Sequence, residues 1–190
     1  MRELAAKANR APSRPGRATS GGNAAAVDGL VPIAGGSDGG GSIRIPSAWC
    51  HTFGFQASFG RVPTVGRPGA FGASSPFIFE GPITRTVEDA ATALSALSGP
   101  DIADPFNIVG KLDWLGALQR LIEGLHIGLT LDFGGFPLEP TITAKIEEAI
   151  RAFDAADATI VPLSLKFGRT VDELVQLWCR MISQKYGFGT

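Results

Sequence analysis

Charge is scarce in this chain. Only 18% of its 190 residues are charged, and they nearly cancel, to a formal net charge of -1. That balance removes the electrostatic reason to expect nucleic acid or an acidic membrane surface as a partner. Cysteine is as scarce: Cys50 and Cys179 stand far apart without metal-ligand spacing and read as buried thiols of a reducing compartment. The two histidines, His51 and His126, supply no plausible triad position and read as structural. No apolar run approaches the roughly 20 residues that span a bilayer, and the N-terminus lacks the apolar stretch of a signal peptide. The expected location is cytoplasmic. Hydrophobic residues make up 44%, which excludes disorder across the whole chain, and the length suits one domain with a sizeable core.

What the chain has in quantity is glycine and proline, 25 and 13 residues, concentrated before residue 110. Glycine-rich loops on a packed scaffold are a common setting for active sites. The densest is Gly35-Gly36-Ser37-Asp38-Gly39-Gly40-Gly41-Ser42-Ile43-Arg44-Ile45-Pro46. Gly39, Gly40 and Gly41 allow positive φ and leave their N–H groups unshielded. Free N–H groups beside the Ser42 hydroxyl are what acyl transfer needs, a nucleophile next to an oxyanion hole. Alone, the run also fits a flexible linker or an anion-binding nest.

Along the chain, residues 1–18 read as a solvated basic tail, with Arg10, Arg14 and Arg17 among Pro12, Pro15 and Gly16 and no aromatic residue for stacking on bases. Asn23 to Gly29 reads as a short helix capped by Asn23 and stopped by Gly29. Leu30 to Ala34 reads as a strand. Ile43 to Phe55 reads as buried, so Arg44 within it needs a partner, and Asp38 is the closest acid. A structural role for Asp38 is the simpler reading than catalytic acid. Arg61-Val62-Pro63 and the stretch through Gly72 look like ordered loop. Thr86 and Asp89 form a capping signal before Val87, Ala90, Ala91, Leu94 and Leu97 at helical spacing, and Gly99-Pro100 ends that helix. A weaker helix pattern covers Trp114 to Gly124. Strand, helix, strand and helix then follow at Leu125–Leu131, Thr141–Ala156, Thr159–Leu163 and from the Thr170/Glu173 capping box through Met181. Glu147, Glu148 and Asp154 fall on the solvated face of the first of these helices. Alternating strands and helices argue for an α/β sheet with covered faces.

The flanks of the glycine loop carry a specific resemblance. Ser20-Gly21-Gly22-Asn23-Ala24-Ala25-Ala26-Val27, the segment from Leu30-Val31-Pro32-Ile33-Ala34 to Pro46-Ser47-Ala48-Trp49-Cys50, Gly60-Arg61-Val62-Pro63, and Gly81-Pro82-Ile83-Thr84-Arg85-Thr86-Val87-Glu88-Asp89-Ala90-Ala91 together resemble the amidase signature family of serine hydrolases. Asp132-Phe133-Gly134-Gly135-Phe136-Pro137 and the two helices after it fit more loosely. The resemblance covers roughly residues 17–185.

It implies an α/β fold with a mixed β-sheet covered by helices, incomplete at both ends, with a partial amidase domain over 19–190 and its signature core over 19–100. It implies hydrolysis of carboxylic amides through a serine acyl-enzyme, with Ser42 as nucleophile and Gly39, Gly40, Gly41 and Ser42 itself as oxyanion donors. A bridging hydroxyl on a cis peptide passes the proton to a lysine. The bridging position falls on Thr19, or on Ser20 if the loop is re-registered. Threonine keeps the hydroxyl but restricts χ1. The family's lysine lies well upstream, and only Lys7 precedes Thr19, in the wrong context. Little turnover is therefore expected, since serine without a base is a poor nucleophile. The alternatives are an inactive fragment or pseudoenzyme that keeps the fold, and the glutaminase component of a tRNA-dependent amidotransferase. No metal or organic cofactor is implied. The expected partner is a small-molecule amide, with no nucleic acid and no membrane, and a homodimer is left open. Trp49, Phe53 and Phe55 read either as an acyl pocket or as core.

Overall fold

The computed structural model describes residues 17–64, 78–102 and 104–186, with side chains over 21–64, 78–102 and 104–181. These residues fall into two compact units that divide after Gln119. In the first unit, helix α1 (Arg17–Val27) is followed by β1 (Ile33–Asp38), α2 (Arg44–Cys50), β2 (Phe53–Gly54), β3 (Phe79–Thr84), α3 (Val87–Leu97) and a single turn, α4 (Trp114–Ala117). The strands form an antiparallel sheet in the order β1-β3-β2. Ile33 lies opposite Thr84 and Asp38 opposite Phe79, while β2 joins at the Thr84 end through Phe53.

Strand β1 starts and ends later than its apolar letters predict. Leu30 is 76% exposed and precedes the strand, whereas Gly35, Gly36 and Ser37 belong to it. Pairing with Glu80, Gly81 and Pro82 of β3 overrides the poor strand propensity of glycine. Gly81, at the centre of the sheet, has no room for a side chain, because a Cβ there would collide with the Phe55 carbonyl. The core beneath joins Ala26 of α1, Ala34 of β1, Ile83 of β3 and Ile43, with Val31 packed against them.

Helix α1 begins at Arg17, ahead of the predicted start, so Asn23 is interior and not a cap. Its end is as expected: Gly29 has φ +74°. Arg85 donates from Nη1 to the Ala26 carbonyl at 2.8 Å, placing a cation where the helix dipole favours one. Helix α3 has its predicted cap, since Thr86 Oγ1 accepts from the Asp89 N–H at 3.1 Å, and buries Ala90, Ala91, Ala93 and Leu94. The helix predicted over Trp114 to Gly124 shrinks to α4. Trp114 is held by its Nε1 on Ser98 Oγ (2.7 Å) and by the edge of Phe55, but Leu118 and Leu121 are exposed. A helix without a buried face has little to sustain it.

In the second unit, β4 (His126–Leu129) pairs in parallel with β5 (Thr159–Pro162), with α5 (Pro140–Asp154) between them and α6 (Val171–Tyr186) after. These are the predicted elements, with slightly shorter strands. Thr170 and Glu173 cap α6 reciprocally, at 2.7 Å and 3.3 Å. Ala158 is the only hydrophobic residue of this unit that is buried among the described residues. Cys50 is buried as expected, whereas Cys179, on α6, is exposed. The fold is mixed α/β, with sheets flanked by helices.

Candidate active site

The glycine loop leaves the end of β1 at Asp38, whose side chain is fully buried. Its carboxylate organises the next six residues. Oδ1 accepts the Gly41 N–H at 2.6 Å and Arg44 Nη2 at 3.1 Å. Oδ2 accepts Arg44 Nε at 2.9 Å and the N–H groups of Ile43 and Arg44 at 3.3 and 3.4 Å. Burial pushes this carboxyl up, but the hydrogen bonds from Arg44 and the Gly41 amide, with the Arg44 charge, outweigh it, and the group is held below its ordinary value. The Arg44 guanidinium is raised by the same side-chain hydrogen bonds. Sequence reading correctly pairs Arg44 with Asp38 but misplaces the burial: the carboxylate is inside, and the arginine side chain is 56% exposed.

Gly41 turns the chain with φ +98°, and a Cβ there would stand 2.6 Å from Ile45 Cδ1. Ser42 follows in a half-buried turn. Both of its neighbours, Gly41 and Ile43, have their N–H groups fixed on Asp38, so Ser42 is held from either side. The Gly41 N–H, expected in the oxyanion hole, is thus directed to Asp38. Among the described residues, the N–H groups of Gly39, Gly40 and Ser42 donate to no protein acceptor.

Thr19 and Ser20 lie in the helical backbone of the first turns of α1; their side chains, like Lys7, lie outside the described residues. The described peptide bonds are all trans, so the cis peptide implied by the resemblance is not found among them. Helix α1 packs on β1 and α2. A Cβ at Gly22 would meet Ala34 Cβ at 3.2 Å, and the helix then runs on past the start of the strand. The first turn of α1 therefore lies toward the Asp38 end of β1, where the glycine loop begins.

Two groups escape the sequence reading. Asn23 is fully buried; its Nδ2 donates to Ser47 Oγ at 3.3 Å and its Oδ1 accepts from Thr52 Oγ1. The signal was available: an asparagine before an alanine run is out of place inside a helix unless it has partners. The second is an aromatic trio, Phe59, Phe79 and Phe106, with ring centroids 6.3 and 5.8 Å apart. It sits at the Asp38 end of the sheet, because Phe79 faces Asp38. Phe53, weighed as an acyl-pocket residue, lies at the opposite end beside Thr84, and Phe55 belongs to the core with Trp114. Trp49 is 47% exposed. His51 closes α2 in the left-handed region, its N–H on the Ser47 carbonyl, and His126 is on β4. Glu147, Glu148 and Asp154 are exposed on α5.

The site is thus a serine held beside glycine amides on a mixed α/β scaffold. A sequence model described as Amidase matches residues 13–185, and the chain belongs to that family, the amidase-signature hydrolases. It is 39% identical over 159 residues to the A component of a glutamyl-tRNA(Gln) amidotransferase from Lactiplantibacillus plantarum, covering 83% of this chain and 32% of that protein. It is 32% identical over 166 residues to an acylamidase of Rhodococcus erythropolis, covering 86% and 34%. Among solved structures, a bacterial aryl acylamidase of the amidase-signature family superposes with a TM-score of 0.83 at 46% identity, over 87% of this chain and 34% of that one. The chain thus spans about a third of the length of the curated relatives it matches. No helix among the described residues is long and apolar enough to cross a membrane.

Proposed function

We propose that the chain carries the nucleophile loop of an amide hydrolase within a partial amidase domain that retains the fold and, by itself, turns over little or no substrate. The observation that carries this reading is the buried Asp38 carboxylate, which fixes the loop from Gly41 to Arg44 around Ser42. In the full reaction, Ser42 Oγ forms a bond to the amide carbon while the carbonyl electron pair moves onto oxygen. The N–H groups of Gly39, Gly40 and Ser42 are the donors available to that oxyanion, and Gly41 contributes by shaping the turn. The proton leaves Oγ through the hydroxyl of Thr19 or Ser20. Collapse breaks the C–N bond, the protonated amine departs, and water releases the acid from the acyl-enzyme. The substrate is a small carboxylic amide.

The relay's terminal base is what the chain does not supply from its own site elements, for no lysine occurs between Thr19 and Gly110. Without it the serine is weakly nucleophilic, and oxyanion stabilisation alone retains a residual part of the acceleration. A fluorophosphonate probe with mass spectrometry tests the reading. The expected result is a folded chain with slow modification confined to Ser42, absent in Ser42→Ala, and negligible amide turnover. Robust turnover that Ser42→Ala abolishes and Lys7→Ala leaves intact overturns the missing-base argument. The similarity to amidotransferase components supports a second reading, a glutaminase that works in complex with other chains. Glutamine hydrolysis dependent on added partner proteins would select it.

A further inference from the structure

We propose that Asn23 is a positioning residue of the Ser42 site, locking the helix that carries Thr19 and Ser20 to the helix that follows Ser42. The inference rests on the reading of Ser42 as nucleophile and of the α1 hydroxyls as its relay. Asparagine is a poor choice for a helix interior, ranking well below alanine, and burying its amide without partners costs far more. Yet Asn23 sits in α1 with no exposed surface, followed by three alanines. Both halves of its amide are used, and both point to the segment after Ser42. Nδ2 donates to Ser47 Oγ in the middle of α2, and Oδ1 accepts from Thr52 Oγ1 just beyond the end of α2.

Directionality is what apolar packing could not provide. Ala26 and Ile43 already bury surface between these elements, but such contacts tolerate sliding. The amide is held between two hydroxyls, Thr52 on one side and Ser47 on the other, and sliding either helix along the other breaks at least one of these bonds. The Ser47 hydroxyl cannot retreat, because Gly54 lies so close that a Cβ there would collide with Oγ. Ser47 is also tied to the start of α2 by its N–H on the Ile43 carbonyl at 3.2 Å, and Ile43 is the neighbour of Ser42. The backbone of Thr19 and Ser20 lies about one turn before Asn23 on α1. One amide therefore sets the offset between the two hydroxyl-bearing segments.

The test is amide hydrogen exchange on the full chain, comparing the loop amides of Gly41, Ile43 and Arg44, which are held on Asp38, with ladder amides of β1 and β3. Asn23→Ala and Thr52→Val are expected to speed exchange in the loop by about tenfold, as loss of a buried hydrogen bond implies, with the ladder unchanged. Thr52→Ser, which keeps the hydroxyl, restores the wild-type rate. Equal acceleration of loop and ladder, or an unchanged loop, overturns the proposal. If Asn23→Ala does not fold, Thr52→Val against Thr52→Ser decides it, since Thr52 is only half-buried. Fluorophosphonate labelling in parallel separates the two ideas. An unlabelled Ser42 in the wild-type chain counts against the nucleophile reading, while the exchange pattern still decides the role of Asn23.

Discussion

Replacing Asp38 and Arg44 separately distinguishes two accounts of the glycine loop. If an ion pair holds it, either loss should cost about the same. The geometry says otherwise. Asp38→Ala removes the acceptor of three backbone N–H groups, and those of Gly41 and Ile43 belong to buried residues. At about 1–3 kcal/mol for each of these two buried donors left unpaired, the expected loss is about 2–6 kcal/mol, with the Arg44 backbone N–H and guanidinium turning to water. Arg44→Ala leaves the carboxylate on its three amides and removes a cation whose side chain is 56% exposed. Solvent screening limits that loss to about 1 kcal/mol. Asp38→Asn falls between, because its amide would set an NH2 against donors on one side of the site. Urea unfolding followed by the fluorescence of Trp49 and Trp114 measures the series. An Arg44→Ala midpoint shifted as far as that of Asp38→Ala refutes the backbone-anchor argument.

Three further outcomes follow from the same structure. The Asp38 carboxyl lies below its ordinary value of 3.8 in the folded state, so its contribution is fully present above that value and is lost as pH falls through the lower, folded one; the stability gap between wild type and Asp38→Asn should narrow on acidification below about 3.8, as acid unfolding curves would show. Gly41→Ala should destabilise by about 1–3 kcal/mol from backbone strain at φ +98°, and Ile45→Ala should not rescue it in chemical unfolding, since the clashing Ile45 tip is flexible and half-exposed. Thr86→Ala should cost about 1 kcal/mol by loss of the α3 cap, with Thr86→Ser restoring most of it, measured by thermal unfolding.

Where local chemistry decides the structure, the sequence is a sufficient guide. The caps at Thr86 and Thr170, the stop at Gly29 and the βαβ alternation after Leu125 are all properties of a few adjacent residues, and each is found. Where tertiary partners decide, it is not. Gly35 and Gly36 are strand because β3 lies beside them, and α1 reaches back past Asn23 because that amide is satisfied by Ser47 and Thr52, 24 and 29 residues away. The same division runs through the site. The Asp38–Arg44 pair spans six residues and is legible; the assignment of the Gly41 N–H to Asp38 is not, because an unshielded amide in sequence says nothing of where it points.

That division explains how the Ser42 loop takes shape in a chain that spans about a third of its relatives' length. Among the described residues, the side-chain hydrogen bonds to the loop from Gly41 to Arg44 all come from Asp38, and the sheet beneath it is formed by residues 33–38, 53–54 and 79–84. The proposed proton relay is different in kind: it would join hydroxyls of α1 to the loop across tertiary contacts, and no lysine stands between Thr19 and Gly110 to end it. On the proposed reading, residues 33–84 supply the part of an amidase site that stabilises charge and not the part that moves the proton. Binding of a tetrahedral oxyanion mimic should therefore outlast turnover.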